Sequence, residues 1–285
     1  MNRTFADIPE SYARLEEAQV VLIPVPYDDT STWNKGADRG PEAFLGAARN
    51  MELYDIETDT EPYKQGIYLA DTMEHFATPD AMVETVEQAV AGYLDQDKFV
   101  TMIGGEHSVS IGAIRAYKEK YRNLTVLQLD AHADLRSDYD GSPYNHACAL
   151  HEASRTCNLI QVGIRSMDES EKQYVNPDKI YYAHAIQGNS AWIDEAVAKM
   201  TEEVYITIDL DGFDPSIMPS TGTPEPGGLG WYSALELLRK TCLSRRVVGF
   251  DIMELCPNPA NKAPDFLAAK LYYKLLAYIY KDSNA

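Results

Sequence analysis

Short apolar segments alternate with amphipathic segments along most of this sequence, and this alternation limits the fold more than any other feature. The apolar segments predict strands at 18–24, 66–70, 99–103, 124–129, 159–162, 180–183, 204–209 and 247–253. Between them, apolar spacing predicts helices at 41–50, 80–94, 109–121, 147–153, 168–174, 191–200, 233–243 and 263–280. Strands that alternate with helices form βαβ units. The sequence therefore predicts a doubly wound, mostly parallel sheet with helices on both faces, a three-layer α/β fold.

The length and composition fit one globular domain. The chain has 285 residues, of which 45% are hydrophobic and 24% charged, as in ordinary soluble proteins. We find no repeat, low-complexity segment or linker, so a single domain covering 1–285 is predicted. Two helix starts carry local signals, with Pro41 near the first helical position and Asp80 as the N-cap of the following helix.

Signals for export or membrane insertion are not found in the sequence. Its first residues lack the apolar core of a signal peptide, and no run of 18 apolar residues occurs. The four cysteines lack CxxC spacing, which indicates neither a disulfide framework nor a cysteine zinc site. We expect a cytoplasmic protein with reduced thiols and no membrane partner.

The charge balance is strongly acidic. Asp and Glu number 44 against 25 Lys and Arg, a formal net charge of −19. Nucleic-acid binding needs a basic stripe, so this composition argues against a nucleic-acid partner. A small cationic substrate would suit this negative electrostatic field, but a surface adapted for solubility or salt is the favoured interpretation of the charge.

Ionisable side chains follow the predicted strands at the point where the strands end. Asp130, His132 and Asp134 occupy alternate positions after an apolar run, and in an extended chain they would project to one side. Asp209 and Asp211 repeat this spacing after the strand at 204–209. Crowded buried carboxylates repel one another, and their desolvation costs several kcal/mol unless a cation or strong donors compensate.

Two further residues, His107 and Glu254, also come directly after predicted strands. In a doubly wound parallel sheet, the carboxyl ends of the strands lie along one edge, and ligands bind in the crevice outside them. Neighbouring strands are about 4.8 Å apart. Four segments that are far apart in sequence are therefore predicted to converge.

The predicted cluster has the composition of a metal centre. It contains two imidazoles, four carboxylates and no thiolate: His107, Asp130, His132, Asp134, Asp209 and Asp211. Carboxylates with some imidazole suit harder divalent ions such as Mn²⁺, whereas structural zinc more often brings cysteine. Six side chains exceed the needs of one ion, so two metals about 3.5–4 Å apart are expected, which would generate a hydrolytic nucleophile from water.

Several motifs together resemble those of the ureohydrolase (arginase/agmatinase) family. They are Gly104–Ser108, Asp130–Asp134, Asp209–Pro215 with Thr221–Pro224, Gly36–Pro41 and Asp251–Glu254. The resemblance runs from about residue 20 to the end of the chain, with the motifs in the order and spacing of the family. It implies an arginase-like α/β fold, two Mn²⁺ per chain and a homotrimer or homohexamer.

The resemblance also assigns roles to individual residues. It implies that His107, Asp130, Asp134 and Asp209 bind one Mn²⁺, that Asp130, His132, Asp209 and Asp211 bind the other, and that Asp130 and Asp209 bridge the two. By the same resemblance, Glu254 grips the guanidinium and His146 shuttles protons near the leaving amine. In the expected reaction, the metals and Asp134 hold the tetrahedral intermediate. Thr207, Ala133 and Thr221 depart from common family residues without removing a ligand.

Within the family, the loop from Leu135 to Asn145 followed by His146 is similar to that of microbial agmatinases. This loop offers Arg136 and several hydroxyls but also Asp138 and Asp140, and acidic residues suit an amine tail better than a carboxylate. The expected reaction is hydrolysis of agmatine to putrescine and urea, a step of polyamine biosynthesis. Arginase, guanidinobutyrase or another guanidino-acid hydrolase, and formiminoglutamase remain open, as do a single-zinc deacetylase and a catalytically silent homologue.

The remaining candidates have simpler interpretations. Gly104 and Gly105 lack the Lys-Ser/Thr ending of a phosphate loop, and we expect them to permit a tight turn. Cys256 lies two residues beyond Glu254, where oxidation could inactivate the site, but an ordinary buried thiol is the favoured interpretation. Three other histidines are expected at the surface or behind the site: His75, His151 and His184.

Overall fold

A computed structural model describes residues 4–281, and in that span eight strands form one sheet. The strands are β1 (Val20–Val25), β2 (Ile67–Leu69), β3 (Phe99–Gly104), β4 (Thr125–Leu129), β5 (Asn158–Ile164), β6 (Ile180–Tyr182), β7 (Glu203–Asp209) and β8 (Arg246–Met253). Their order is β2-β1-β3-β8-β7-β4-β5-β6, and each neighbouring pair is parallel. The predicted parallel α/β sheet is confirmed, while the predicted domain 1–285 extends beyond the described residues at both ends.

Helices cover both faces of the sheet. They are α1 (Gly40–Ala48), α2 (Pro79–Leu94), α3 (Ser110–Lys120), α4 (His151–Thr156), α5 (Ala183–Ile186), α6 (Ala191–Ala198), α7 (Trp231–Ser244) and α8 (Ala263–Ile279). Buried side chains of α1, α5, α6, α7 and α8 form one apolar cluster with the sheet, and those of α2, α3 and α4 form a second. This is the expected three-layer arrangement. Within residues 4–281, the helices are all too short or too polar to cross a membrane.

Two helix boundaries differ from the sequence prediction. The helix predicted at 147–153 is a 3₁₀ turn at His146–Cys148 followed by α4, which begins only at His151. The N-cap of α2 is Thr78, whose hydroxyl accepts a hydrogen bond from the Ala81 amide at 3.1 Å, and the predicted cap Asp80 lies inside the first turn. Pro79 explains this shift, because its ring fixes the φ angle of the first helical position and it needs no acceptor.

Two short elements have simple local causes. The helix predicted at 168–174 is a 3₁₀ helix over Glu169–Tyr174, closed by a capping box between Asp168 and Glu171. The single turn α5 was not predicted, because four residues are too few to show helical periodicity.

The strand register brings the carboxyl ends of four neighbouring strands to one level. Ile103 pairs with Ile252, Asp209 pairs with Met253, and Leu129 pairs with Ile208. These strands are β3, β8, β7 and β4, which lie side by side in the middle of the sheet. Residues that follow them therefore meet above one part of the sheet edge.

A buried lysine ties α8 to the segment before β2. Lys274 is 5% exposed, and its Nζ donates to Asp55 Oδ1 at 3.1 Å and to Glu57 Oε2 at 2.6 Å. Burial alone would raise the pKa of Asp55, but hydrogen bonds from Thr58 and Lys274 outweigh it and keep this pKa below 3.8. The ionised pair is therefore a stabilising contact between distant parts of the chain.

We expect Lys274→Met to lower the free energy of unfolding by about 3 kcal/mol at pH 7, because it leaves Asp55 buried without its cation. A carboxylate whose pKa is lowered by folding stabilises the fold fully at pH values above its pKa in the unfolded chain. This stabilisation is lost as the pH falls through the lowered pKa of the folded chain. The difference between variant and wild type should therefore shrink below about pH 4. Urea unfolding at both pH values measures it, with Lys270→Met on the same helix as control. Equal stabilities of Lys274→Met and wild type at pH 7 would contradict this account.

Candidate active site

His107 is the centre of a cluster of carboxylates above the sheet edge. It follows β3 in a 3₁₀ turn and is 1% exposed. Its Nδ1 lies 3.1 Å from Asp130 Oδ2, 3.0 Å from Asp134 Oδ2 and 3.3 Å from Asp209 Oδ2. The segments predicted to converge from β3, β4 and β7 do meet here.

The glycines before His107 allow the chain to pass tightly, but not through a left-handed turn. A Cβ at Gly105 would overlap the backbone of Tyr27, and one at Gly104 would overlap the side chain of Met253. Neither glycine has a positive φ angle. The expectation of a glycine-dependent tight turn is therefore corrected to close approach of two chain segments.

A second group of side chains surrounds His132. Its Nδ1 lies 2.9 Å from Asp211 Oδ2 and 3.7 Å from Asp130 Oδ1. Burial alone would lower the pKa of His132, but Asp211 and then Asp130 raise it to about 11. Burial, with repulsion from Asp134 and Asp211, raises the pKa of Asp130 to about 7. The His132 imidazole and the two carboxylates beside it lie close together in a buried place, so little water screens the attraction between them.

The three ligand candidates after β4 do not lie along an extended strand. The strand ends at Leu129, His132 makes an isolated bridge to Ser166, and Asp134 has a left-handed φ angle of 55°. Their shared side was predicted from strand alternation, and that reason is wrong for residues 130–134. A turn brings the side chains together instead, with the His132 amide donating to Asp130 Oδ1 at 2.6 Å.

The donor set fits divalent metal ions. Two groups of side chains could each hold an ion, because the ligand atoms within each group lie within 4.8 Å of one another. The first group is His107, Asp130 and Asp134, and the second is Asp130, His132 and Asp211. Asp130 belongs to both groups, and Asp209 lies beside the first. The buried Nδ1 atom of His107 faces three carboxylate oxygens without a hydrogen-bond partner in the described part of the chain. A cation between these atoms would satisfy all of them.

Buried hydrogen bonds hold the candidate ligands from behind. His107 Nε2 lies 2.8 Å from Thr207 Oγ1, and Thr207 donates to Asp251 Oδ1 at 2.7 Å. Because the Thr207 proton is used by Asp251, Thr207 accepts from His107 and leaves Nδ1 as the free lone pair. On the other side, Gln128 donates to Asp130 Oδ2 at 2.8 Å. The sequence reasoning missed Asp251 and Gln128 as supports.

Glu254 lies at the end of β8, beside the His107 group. It has a left-handed φ angle of 66°, and its Oε1 accepts the His107 amide at 2.8 Å. Burial, followed by repulsion from Glu106, raises its pKa well above the usual value. Its Oε2 is directed towards Gly222, where a Cβ would lie 3.3 Å away. Because burial and neighbouring negative charge disfavour the ionised form of Glu254, a cationic partner would stabilise this carboxylate strongly.

A cavity of about 280 Å³ opens over the cluster. The wall includes buried Glu254, exposed Asp168, and three half-buried side chains, His146, Arg136 and Tyr139. Sequence reasoning expected acidity from the loop 135–145, but the acidic wall residues outside the cluster are Asp168, Glu171 and Glu254 among residues 4–281. The Asp168 side chain is 45% exposed, and its Oδ2 lies 3.8 Å from Arg136.

His146 is part of the cavity wall. It begins the 3₁₀ turn after Asn145, whose side chain accepts from the Ala147 amide at 3.0 Å. The Nδ1 atom of His146 lies 3.3 Å from Thr30 Oγ1, and its ring meets Tyr139 edge to face. The ring therefore belongs to the cavity wall rather than to the carboxylate cluster.

The other candidates lie outside the cluster. Cys256 was expected to be buried, but it is only half-buried; burial still raises the pKa of its thiol, and its Sγ lies 3.5 Å from Lys35 O. His75 is exposed, His184 stacks on Tyr182 at the surface, and His151 Nδ1 lies 2.9 Å from Leu135 O.

Comparison with known proteins identifies the family. A model of the arginase family matches residues 18–277. This chain belongs to the arginase family. An N(1)-aminopropylagmatine ureohydrolase of Synechocystis sp. is 40% identical over 280 residues, covering 94% of this chain and 92% of that protein. An agmatinase of Pyrococcus horikoshii is 31% identical over 269 residues, 92% of each chain.

Solved structures of the arginase family have the same fold. An agmatine ureohydrolase of Thermoplasma volcanium superposes with a TM-score of 0.89 at 31% identity, covering 100% of this chain and 96% of that one. Three motifs after strand ends had indicated this ureohydrolase family and its enzyme class. Both predictions are confirmed.

Proposed function

We propose that this arginase-family chain hydrolyses the guanidino group of N(1)-aminopropylagmatine, releasing spermidine and urea. Agmatine, which would give putrescine and urea, is the second candidate. The observation that carries the proposal is the two-group His/Asp cluster beside the buried carboxylate of Glu254, within one cavity. The name of the relative with the higher identity supports the longer substrate, and the Pyrococcus relative supports agmatine.

The cluster would hold two Mn²⁺ ions. His107, Asp130, Asp134 and Asp209 would bind one, and Asp130, His132, Asp209 and Asp211 would bind the other. Hard carboxylate oxygens with two imidazoles favour Mn²⁺ over a thiolate-bound metal. When bound, two such ions neutralise the carboxylates and supply a nucleophile from water at neutral pH.

The guanidinium would bind to Glu254. Its Oε1 is fixed by the His107 amide, so the carboxylate has one orientation relative to the cluster. A guanidinium offers paired N–H groups to a carboxylate, and burial strengthens that pairing because little water competes. This contact would place the central carbon of the substrate over the His/Asp cluster.

Two further side chains would act during bond cleavage. Asp134 is 6% exposed and lines the cavity, so its carboxylate can accept a hydrogen bond from the tetrahedral intermediate. His146, also in the wall, would donate the proton that the leaving amine needs. Without that proton the amine is a poor leaving group, so the step depends on the ring's position.

The far end of the substrate would extend towards the cavity mouth. Asp168 contributes a partly exposed carboxylate there, next to Arg136. A substrate with amino groups along its tail would pair with this carboxylate, and an amino-acid carboxylate would pair with Arg136 beside it. The wall therefore offers a partner to either kind of tail, and the names of the relatives are what favour a polyamine-type tail.

A substrate panel tests the proposal. Protein loaded with Mn²⁺ is expected to release urea from N(1)-aminopropylagmatine and, with a lower kcat/KM, from agmatine. Arginine, 4-guanidinobutyrate and formiminoglutamate should be poor substrates. No urea from any guanidino compound would overturn the proposal, and faster hydrolysis of an acetylated amine would favour a deacetylase. We also propose a single catalytic domain that acts in the cytoplasm as a homotrimer or homohexamer.

The hydrogen bond behind His107 leads to a separate prediction. Thr207→Val keeps the shape of the side chain but removes the acceptor for His107 Nε2 and the donor to Asp251. Loss of such a support lowers metal affinity about 10- to 100-fold. Competition with a fluorescent chelator measures the affinity, and Thr156→Val, at an exposed position of α4, is the control. Wild-type affinity in Thr207→Val would contradict the expected role of this contact.

A further inference from the structure

The segment 27–38 between β1 and α1, called here the 27–38 loop, is fastened to the core by one buried carboxylate. Glu106 is 0% exposed. Its Oε2 accepts the amides of Thr30 at 2.6 Å and Ser31 at 3.0 Å. Its Oε1 accepts the hydroxyls of Thr30 at 2.5 Å and Ser108 at 2.5 Å. Four donors therefore converge on a residue to which the metal and substrate contacts give no role.

The direction of these hydrogen bonds can be deduced from the donors. An amide can only donate, so Oε2 carries no proton while it faces two amides. The hydroxyls of Thr30 and Ser108 donate to Oε1, so Glu106 is the acceptor in all four contacts. The single hydroxyl proton of Thr30 therefore points to Oε1.

The Thr30 hydroxyl is then left with lone pairs only for its other neighbour, His146. It accepts the His146 backbone amide at 2.9 Å, and it lies 3.3 Å from His146 Nδ1. A hydroxyl whose proton is already donated can meet Nδ1 only if that nitrogen carries a proton. The contact thus selects one of the two neutral tautomers of the ring.

We infer that Glu106 and Thr30 are positioning residues that hold His146 with its proton on Nδ1, leaving Nε2 as the nitrogen that exchanges protons in the cavity. The inference rests on the proposed role of His146 in ureohydrolysis. The Glu106 carboxylate, the Thr30 hydroxyl and the His146 imidazole form a chain of hydrogen bonds in which each proton has a defined position. A ring that gains a proton on Nε2 still donates through Nδ1 to Thr30, so proton transfer leaves this contact in place.

The same chain of hydrogen bonds connects the 27–38 loop to the proposed proton transfer by His146. Thr32 of the 27–38 loop lines the cavity, and Glu106 holds Thr30 by both its amide and its hydroxyl. A shift of the loop would therefore move the partner of His146 Nδ1. A purely structural anchor would fix the loop without any effect on the protonation of the ring.

Histidine ¹⁵N NMR of the full-length chain without paramagnetic metal distinguishes these alternatives. At a pH where the ring is neutral, the wild type should show His146 protonated at Nδ1 and unprotonated at Nε2, with the signal assigned by its loss in His146→Gln. Thr30→Ser should keep this tautomer because it retains the hydroxyl, and Thr30→Val should lose the preference. A wild-type ring protonated at Nε2 would overturn the inference, even if neither variant folds.

Kinetics provide the second readout. Because general acid catalysis contributes about 10²- to 10⁴-fold, Thr30→Val should lower kcat by about 10-fold or more, with KM and metal content near wild type. Thr30→Ser should restore most of kcat. Unchanged kcat in Thr30→Val would contradict the inference. If the wild type released no urea, the proposed function would fail, while the NMR result would still decide the tautomer.

Discussion

Asp130→Asn is expected to lose urea release and most of the bound divalent metal. Asp130 contributes to both groups of candidate ligands and is 0% exposed. The amide keeps the size of the side chain but removes the negative charge that both groups share. We expect kcat/KM to fall by on the order of 10³-fold or more, the effect of losing a preorganised electrostatic contact to the reacting group. Elemental analysis and a urea assay measure the two losses.

Asp138→Asn is the matched control for this variant. Asp138 lies eight positions later in the same connection and is exposed, so the same chemical change there should leave metal content and activity near wild type. Thermal unfolding of both variants shows whether Asp130→Asn is folded. A folded Asp130→Asn protein that retains two metals and wild-type urea release would exclude the proposed centre.

Glu254→Gln should separate substrate binding from metal binding. The glutamine carbonyl can still accept the His107 amide, but its NH₂ group would face the guanidinium instead of a carboxylate oxygen. Loss of one partner of a buried charge pair costs about 2–5 kcal/mol, so kcat/KM should fall by about 30- to 5,000-fold. Metal content should stay at the wild-type level, in contrast to Asp130→Asn.

Glu169→Gln provides the control, since this side chain is 92% exposed and is not among the residues that line the cavity. Steady-state urea assays over a range of substrate concentrations give kcat and KM for each variant. A Glu254→Gln enzyme with wild-type kcat/KM would show that the guanidinium binds elsewhere. A metal loss as large as that of Asp130→Asn would make Glu254 a metal-site residue instead.

The general location of the site could be predicted from sequence because topology fixes it. In a parallel sheet all strands end at one edge, so residues directly after strands are brought together whatever the loops do. His107 and Asp209 illustrate this, since Asp209 ends β7, His107 follows the end of β3 by three residues, and the two side chains meet at 3.3 Å. Their chemical types then indicated a metal centre without any knowledge of the loops.

The details beyond the strand ends could not be predicted in the same way. Asp134 reaches the cluster through a left-handed residue in a turn, and strand alternation carries no information about turns. The acidic group at the cavity mouth, Asp168, comes from a different connection than the loop that the sequence suggested. Loop side chains are placed by tertiary contacts, not by local periodicity.

Supporting residues were the hardest to find. Thr30 and Glu106 are 76 positions apart, and Thr30 and His146 are 116 positions apart. Thr207 and Asp251 belong to neighbouring strands, but their pairing depends on the register of β7 with β8. A threonine or glutamate in a sequence gives no sign of such a partner, so these roles emerge only from the folded chain.

The most direct test of the central claim is a titration of metal-free protein with Mn²⁺ while urea release from N(1)-aminopropylagmatine and from agmatine is measured. The account predicts that activity rises until two ions are bound per chain, with equal amounts of urea and polyamine formed. Full activity with one ion per chain, or urea release by metal-free protein, would contradict it.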